Sequence, residues 1–262
     1  MILRRKTLFI ALAIILAVSG VYLGIRSREV RPVIEIYDMT VATATQMPIF
    51  YVSTDRKAVA LTFDISWGDK TPGKVLDALK KADQKATFFL SGPWANHYRD
   101  VVQRIVDEGH EIASHGQDHV NLSQLGKADI LTNVKSSHDI LVNITGVSPR
   151  YFRPPNGDYD DMVVQAAREL GYETIIWGVD SLDWKNPGAT YIVERISKLA
   201  FPGAIILFHA SDSAMETDQA LPMVMDNLRA AGYELMPLGQ LLSTGKPARD
   251  DPRGRPPSEL PH

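Results

Sequence analysis

The chain has 262 residues, a formal net charge of −3, 45% hydrophobic residues and 23% charged residues. These values are those of an ordinary globular protein, with enough residues for a single α/β barrel. The negative charge gives no electrostatic basis for binding nucleic acid, and the absence of cysteine excludes disulfides, thiolate nucleophiles and zinc–thiolate clusters.

The N-terminus has the pattern of a membrane anchor. The basic cluster Arg4-Arg5-Lys6 precedes a mostly apolar run over residues 7–25, which is long enough to cross a bilayer. Residues 1–6 would then be cytoplasmic. Because Ala17-Val18-Ser19 is only an imperfect cleavage pattern, we predict an uncleaved signal anchor, with a cleaved signal peptide and a secreted protein as the alternative. Arginines also flank the other end of the run, so charge alone leaves the orientation open.

Two segments flank the body of the chain. Residues 26–55 are interpreted as a stalk that leads into the first strands, with strand patterns at Val33–Tyr37 and Pro48–Val52. Residues 243–262 are rich in Pro, Arg and Asp and have no apolar periodicity, so we predict a disordered tail. The folded body is therefore expected over residues 56–242.

Strand and helix patterns alternate about seven times along this body. The predicted strands are Val59–Phe63, Ala86–Leu90, Glu111–Ser114, Tyr151–Phe152, Thr174–Trp177, Ala204–Phe208 and Tyr233–Met236. The predicted helices are Thr71–Ala82, Tyr98–Asp107, Asp129–Ile144 (with Asp129 as N-cap), Asp160–Leu170, Ala189–Leu199 and Gln219–Ala231. This alternation predicts an α/β fold with a parallel sheet that closes, or nearly closes, into a (β/α) barrel.

Polar side chains follow the carboxyl ends of five predicted strands, where a barrel gathers its functional groups. They are Asp64, His115, Arg153, Asp180 with Asp183, and His209. His119 follows His115 on a turn that contains Gly and Asp, and two imidazoles four residues apart can be directed at one metal ion. One mouth of the barrel would therefore contain carboxylates, imidazoles and a guanidinium.

Five ordered segments of the body also form a known pattern. They are Leu61–Asp64, Ser114–His119, Phe152–Gly157, Asp180–Trp184 and Ile206–His209. They resemble the five motifs of the polysaccharide deacetylase domain (NodB homology, carbohydrate esterase family four), and the likeness covers about residues 56–242. Phe63–Asp69, behind an N-terminal anchor, is similar to the sporulation-associated PdaB-type branch. The family fold is a distorted, incomplete (β/α) barrel with parallel strands, which agrees with the alternation.

The resemblance implies hydrolysis of N-acetyl groups on amino sugars of a cell-wall glycan, peptidoglycan or chitin, with a divalent metal, zinc first, as cofactor. It implies the following roles: Asp64 as catalytic base, His209 as catalytic acid, Arg153 and Asp183 as their orienting and pKa-tuning partners, His115 and His119 as metal ligands, and Trp184, Leu207, Pro155 and Asn156 as substrate-binding residues. Because the substrate is wall glycan, we expect a single-pass membrane protein with its body outside the cytoplasm, and a monomer.

One position departs from the family pattern. The family's first motif usually has a second acidic residue that binds the metal, and this chain has Ile65 there. Catalytic zinc usually has three protein ligands, so Asp64, Asp69 or Asp118 would have to complete the site. The alternative is a catalytically weak or inactive glycan-binding protein with the same fold. A glycosidase that pairs Asp64 with Asp183 is a weaker alternative, because it leaves the histidine pair without a role.

Overall fold

The computed structural model describes residues 47–261. The predicted anchor over 7–25, most of the predicted stalk and the strand pattern at Val33–Tyr37 lie outside the described residues. None of the helices between residues 47 and 261 is long and apolar enough to cross a membrane.

A curled parallel sheet forms the centre of the body. Its strands are β2 (Ala58–Ile65), β3 (Thr87–Leu90), β4 (Glu111–Ser114), β5 (Tyr151–Phe152), β6 (Glu173–Thr174), β7 (Val179–Asp180), β8 (Ile205–His209) and β9 (Glu234–Met236). The strand order is β6-β5-β4-β3-β2-β8-β7, and β9 pairs with the first residues of β2. The predicted α/β class with a curled, parallel half-barrel is confirmed.

Helices connect these strands and cover the sheet. They are α1 (Lys70–Lys81), α2 (Gly92–His97), α3 (Arg99–Asp107), α4 (Lys127–Thr145), α5 (Asp161–Glu169), α6 (Ala189–Leu199), α7 (Thr217–Ala230) and α8 (Leu238–Leu242). All eight residues of β2 are buried, as expected for a parallel strand covered on both faces. Helix α1 is an example of a helix that covers the sheet: its buried residues Val75, Leu76 and Leu79 recur at helical spacing.

Some local elements differ from those predicted. Helix α4 has Gly126 as its N-cap, so the prediction of Asp129 as N-cap is wrong; Asp129 lies in the first turn, where a carboxylate also interacts favourably with the helix dipole. The short helices α2 and α8 have no counterpart among the predicted helices. Of the predicted strand Thr174–Trp177, only Thr174 belongs to a strand, β6, and β7 begins later, at Val179. The residues after Thr174 bond elsewhere, since the Ile176 N–H donates to the carbonyl of Ile49 at 2.8 Å.

The prediction of a disordered C-terminal tail is wrong for residues 243–261. Strand β10 (Lys246–Ala248) pairs antiparallel with β1 (Tyr51–Ser53). Beyond it, Leu260 is buried in the core, and the Arg253 guanidinium lies 5.3 Å from the ring centre of Trp177. These contacts join residues far apart in sequence, so the polar composition of the tail does not reveal them. The folded body therefore includes residues 243–261.

Candidate active site

The register of the central strands brings the predicted acid and base together. Asp64 near the end of β2 is aligned with His209 at the end of β8, and Thr62 is aligned with Leu207. Aligned residues on neighbouring strands project from the same face of a sheet, so the two titratable side chains share one cleft. Its volume is about 560 Å³, and it is lined by Asp64, Trp67, His115, His119, Asn156, Gly157, Trp177, Asp180, Trp184, Leu207, His209 and Ser213.

Asp64 is held by a fully buried arginine. Arg153 Nη1 donates to Asp64 Oδ1 at 2.6 Å, and its Nη2 donates to Thr62 Oγ1 at 3.0 Å. The guanidinium also lies 4.0 Å from the ring centre of Phe89. Burial raises the pKa of Asp64, but the attraction of Arg153 and the nearby histidines outweighs it and leaves the pKa below its ordinary value. Asp64 is therefore an anion at neutral pH.

His115 is fixed in one tautomer by the backbone. Its Nδ1–H donates to the carbonyl of Arg153 at 2.8 Å, so Nε2 carries the lone pair and lies 3.7 Å from Asp64 Oδ2. Burial lowers the pKa of His115 to about 4, so the ring is neutral near pH 7. Gly116 makes the following turn possible, because its φ is +77° and a Cβ there would lie 2.6 Å from Asn133 Oδ1.

His119 lies beside His115 in the same cleft. The two ring centres are 5.4 Å apart, and the His119 ring is 4.7 Å from that of Trp67. Burial also lowers the pKa of His119. The predicted metal-ligand pair is thus brought together as two imidazoles whose pKa values are lowered.

His209 is paired with a buried carboxylate. Its Nδ1–H donates to Asp183 Oδ1 at 2.8 Å, and its backbone N–H donates to Asp183 Oδ2 at 2.7 Å. Thr217 Oγ1 also donates to Asp183 Oδ2, at 2.7 Å. Burial lowers the pKa of His209, but the attraction and hydrogen bond of Asp183 outweigh it and raise the pKa above its ordinary value. His209 is therefore biased toward the protonated form, with Nε2 left for the cleft.

The loop that carries Asp183 has an unusual backbone. Leu182, the residue before it, has φ of 60°, a left-handed conformation that is costly for a branched side chain. Asp183 is fully buried against His209 and Thr217 and does not line the cleft. A glycosidase needs two carboxyl groups that both reach the substrate, so the geometry does not support pairing Asp64 with Asp183.

The donors present do not fit a three-ligand catalytic metal site. Across residues 47–261, no group of three or more His, Cys, Asp or Glu side chains is arranged to hold a metal ion. Ile65 is fully buried in the apolar core and offers no donor, while Asp69 and Asp118 are exposed and do not line the cleft. Among the predicted ligands, only the two imidazoles and the Arg153-bound Asp64 line the cleft, where three free protein ligands are usual.

The predicted substrate-binding residues are found mostly in the cleft lining. Trp184, Leu207 and Asn156 line it, whereas Pro155 is buried in the same turn as Asn156. Asp180, predicted at a strand end, also lines the cleft. The motifs do not identify Trp67 and Trp177 as lining residues, nor Thr62 and Thr217 as partners of Arg153 and Asp183. Trp67 and Thr62 lie within the segments Phe63–Asp69 and Leu61–Asp64 and could have been found there. No local pattern marks Thr217.

Comparisons with known proteins indicate the same family as the sequence motifs. Residues 51–175 match the family described as polysaccharide deacetylase. The protein YlxY of Bacillus subtilis, described as uncharacterized, is 31% identical over 195 residues, which cover 74% of this chain and 60% of YlxY. Peptidoglycan-N-acetylmuramic acid deacetylase PdaA of the same organism is 32% identical over 198 residues, which cover 74% of each chain. The chain belongs to the polysaccharide deacetylase family.

A solved structure in the same family is similar throughout the body. The crystal structure of BA3943 from Bacillus anthracis, described as a CE4 family pseudoenzyme, has a TM-score of 0.73 at 32% identity and matches 79% of this chain and 72% of its own. A BA3943 mutant described as having restored enzymatic activity gives the same TM-score and identity.

Proposed function

We propose that this chain removes N-acetyl groups from amino sugars of cell-wall peptidoglycan by hydrolysis. The observation that carries the proposal is the opposite displacement of two pKa values in one cleft: that of Asp64 is lowered and that of His209 is raised. Near neutral pH the first is an anion that can accept a proton, and the second is biased toward the protonated form that can donate one. Hydrolysis of an amide needs both.

The proposed reaction uses these two groups in sequence. Asp64 accepts a proton from water while the water oxygen bonds to the acetyl carbon, and Arg153 holds the carboxylate in place through Oδ1. Breaking the carbon–nitrogen bond then requires a proton on the nitrogen, which His209 donates. Acetate and the free amine of the sugar are the products. Leu207, which lines the same cleft and lies two residues before His209 on β8, offers an apolar contact for the acetyl methyl group.

The cellular setting is part of the same proposal. The predicted anchor over residues 7–25 would hold the body at the outer face of the membrane, within reach of the wall. The name of PdaA supports peptidoglycan as the substrate. We propose a role in wall remodelling or sporulation, for which the PdaB-type pattern Phe63–Asp69 is the support.

Acetate release from purified peptidoglycan tests this function, with Asp64→Asn as the decisive variant. The amide cannot accept the proton, so we expect a rate loss of about 10²–10⁴-fold. The variant also leaves Arg153 buried without its counter-charge, so a stability loss of about 3 kcal/mol is expected. Rates should therefore be compared at a temperature where both proteins are folded, with the exposed Asp69→Asn as control. Release within a few-fold of the parent by Asp64→Asn would remove Asp64 from the mechanism.

A second candidate function is glycan binding without catalysis. Two observations favour it: Ile65 occupies the position of the family's metal-binding carboxylate, and the similar BA3943 is described as a pseudoenzyme. Binding of peptidoglycan fragments without any acetate release, in buffers with and without zinc, would support this candidate against the first.

A further inference from the structure

The tryptophans of this chain are concentrated at one site. The chain has four, and three of them, Trp67, Trp177 and Trp184, line the cleft. The fourth, Trp94, donates its Nε1–H to the carbonyl of Gly68 at 2.6 Å and so holds the loop that carries Trp67. Trp177 is almost entirely buried, whereas Trp67 and Trp184 are 51% and 48% exposed. Both exposed indoles therefore belong to the same cleft.

The backbone of Trp67 is fixed although its ring is exposed. The N–H groups of Ser66 and Trp67 both donate to Ser211 Oγ, at 3.0 and 3.4 Å. The carbonyl of Trp67 accepts from the N–H of Asp212 at 2.9 Å. Since Ser211 is buried, these bonds tie the loop to the segment that follows β8. An aromatic ring on such a loop binds a ligand with little loss of backbone entropy.

The position of Trp67 relative to the reacting groups follows from the sheet. Trp67 follows β2 and Trp184 follows β7, and these two strands lie on either side of β8, which ends at His209. The indole of Trp67 is tilted by 57° against the His119 ring, at 4.7 Å between ring centres. The packing against His119 therefore orients the indole and leaves half of it open to the cleft.

We propose that Trp67 is a stacking platform that binds the apolar face of a pyranose ring in the glycan chain, next to the sugar unit held at Asp64 and His209. The proposal rests on the proposed function, because it takes wall glycan as the ligand. A pyranose presents C–H groups on its faces and hydroxyls at its edge, so a flat, half-exposed indole in a polar cleft matches it. A large exposed apolar side chain inside a cleft otherwise has an unfavourable contact with water.

Calorimetric titration with N-acetylchitotetraose separates this role from catalysis. Trp67→Ala is expected to weaken binding about tenfold, the effect of removing an aromatic anchor, while Trp67→Phe should retain most of the affinity. Tyr191→Ala is the matched control, because Tyr191 is an exposed aromatic residue on α6 outside the cleft and its removal should leave the affinity unchanged. In acetate-release assays Trp67→Ala should raise KM more than it lowers kcat.

The outcomes distinguish the platform from the function on which it rests. Equal affinity of the parent and a folded Trp67→Ala, with acetate release by the parent intact, overturns the platform alone. A loss of kcat at unchanged KM and affinity also overturns it, because it would make Trp67 a support for His119. Failure of the parent to bind either the tetrasaccharide or peptidoglycan fragments overturns the platform and the proposed function together. Binding by the parent without acetate release overturns the proposed hydrolysis alone, and the affinity of Trp67→Ala then still decides the platform.

Discussion

Two fully buried side chains, Arg153 and Asp183, do not line the cleft, yet each determines the charge of a residue that does. Arg153 keeps Asp64 ionised, and Asp183 keeps His209 inclined to hold a proton. Each pair is completed by a threonine hydroxyl, Thr62 for Arg153 and Thr217 for Asp183. Because burial alone would move both cleft residues toward their neutral forms, the acid–base pair depends on these partners.

The pH dependence of the reaction should therefore follow His209. Its charged form is the proton donor, so acetate release is expected to fall as pH rises through its raised pKa. Asp183→Asn removes the contributions that raise this pKa and should move the alkaline limb of the kcat/KM profile to lower pH. An NMR titration of the His209 ring measures the same shift without activity. An unchanged titration in a folded Asp183→Asn protein would contradict this account.

The raised pKa of His209 also makes the free energy of unfolding depend on pH. His209 has a folded-state pKa above its unfolded value of about 6.5. Its contribution to the free energy of unfolding is therefore fully present below that unfolded value, and it is lost as pH rises through the folded-state pKa. Urea unfolding across this window should show the loss in the parent and a smaller one in Asp183→Asn.

The position that departs from the family pattern gives a second residue-scale prediction. Ile65 is fully buried in the apolar core, so Ile65→Asp places an unpaired carboxylate among apolar groups and should lower the melting temperature of the metal-free protein. The family has its metal-binding carboxylate at this position, beside Asp64. We therefore expect zinc to raise the melting temperature of the variant. A ligand at a free concentration of a hundred times its Kd adds about 2.7 kcal/mol to the free energy of unfolding.

The control for this experiment is Ile65→Asn, which has a similar shape but no charge. It should be destabilised without the zinc response. If zinc leaves the Ile65→Asp protein as unstable as the Ile65→Asn protein, His115 and His119 do not form half of a metal site in this chain.

At the scale of elements, the sequence correctly predicts strands and helices that depend on local apolar periodicity. The strand Glu111–Ser114, the strand Tyr151–Phe152 and the helix Ala189–Leu199 were predicted with the observed bounds. Of the residues predicted at strand ends, Asp64, His115, Asp180 and His209 line one cleft, because parallel strands bring their carboxyl ends to one edge of the sheet. Arg153 and Asp183 are buried as partners of Asp64 and His209 and do not line it. Strand β10 and the ordered tail were missed, since they are stabilised by contacts with β1 and Trp177, about 200 and 75 residues away in sequence.

The C-terminal segment is therefore expected to contribute to the free energy of unfolding. Leu260 is buried against the core, whereas its neighbour Glu259 in the same turn is exposed. Leu260→Ala should lower the free energy of unfolding by about 2 kcal/mol, the low end for a buried leucine, because a terminal segment can partly relax into the space. Glu259→Ala should change it little. Equal urea midpoints for the two variants would show that the tail does not pack in solution as described.

At the scale of the whole molecule, every group assigned to the reaction lies at one edge of the sheet, and a wall glycan must reach that edge. Such access requires the body to be outside the cytoplasm. The flanking arginines leave the orientation of the predicted anchor nearly balanced, so the nature of the substrate is the argument that decides it. This placement is a proposal that a direct measurement of topology can test.

The absence of cysteine makes that measurement simple, because one introduced cysteine is the only thiol of the chain. Lys198→Cys lies on the exposed side of α6, and Lys6→Cys lies in the predicted cytoplasmic N-terminus. A membrane-impermeant maleimide added to protoplasts, whose wall has been removed, should label Lys198→Cys at once. It should label Lys6→Cys only after the membrane is opened by detergent. The reverse pattern would place the body in the cytoplasm, where neither the proposed substrate nor the proposed reaction could be reached.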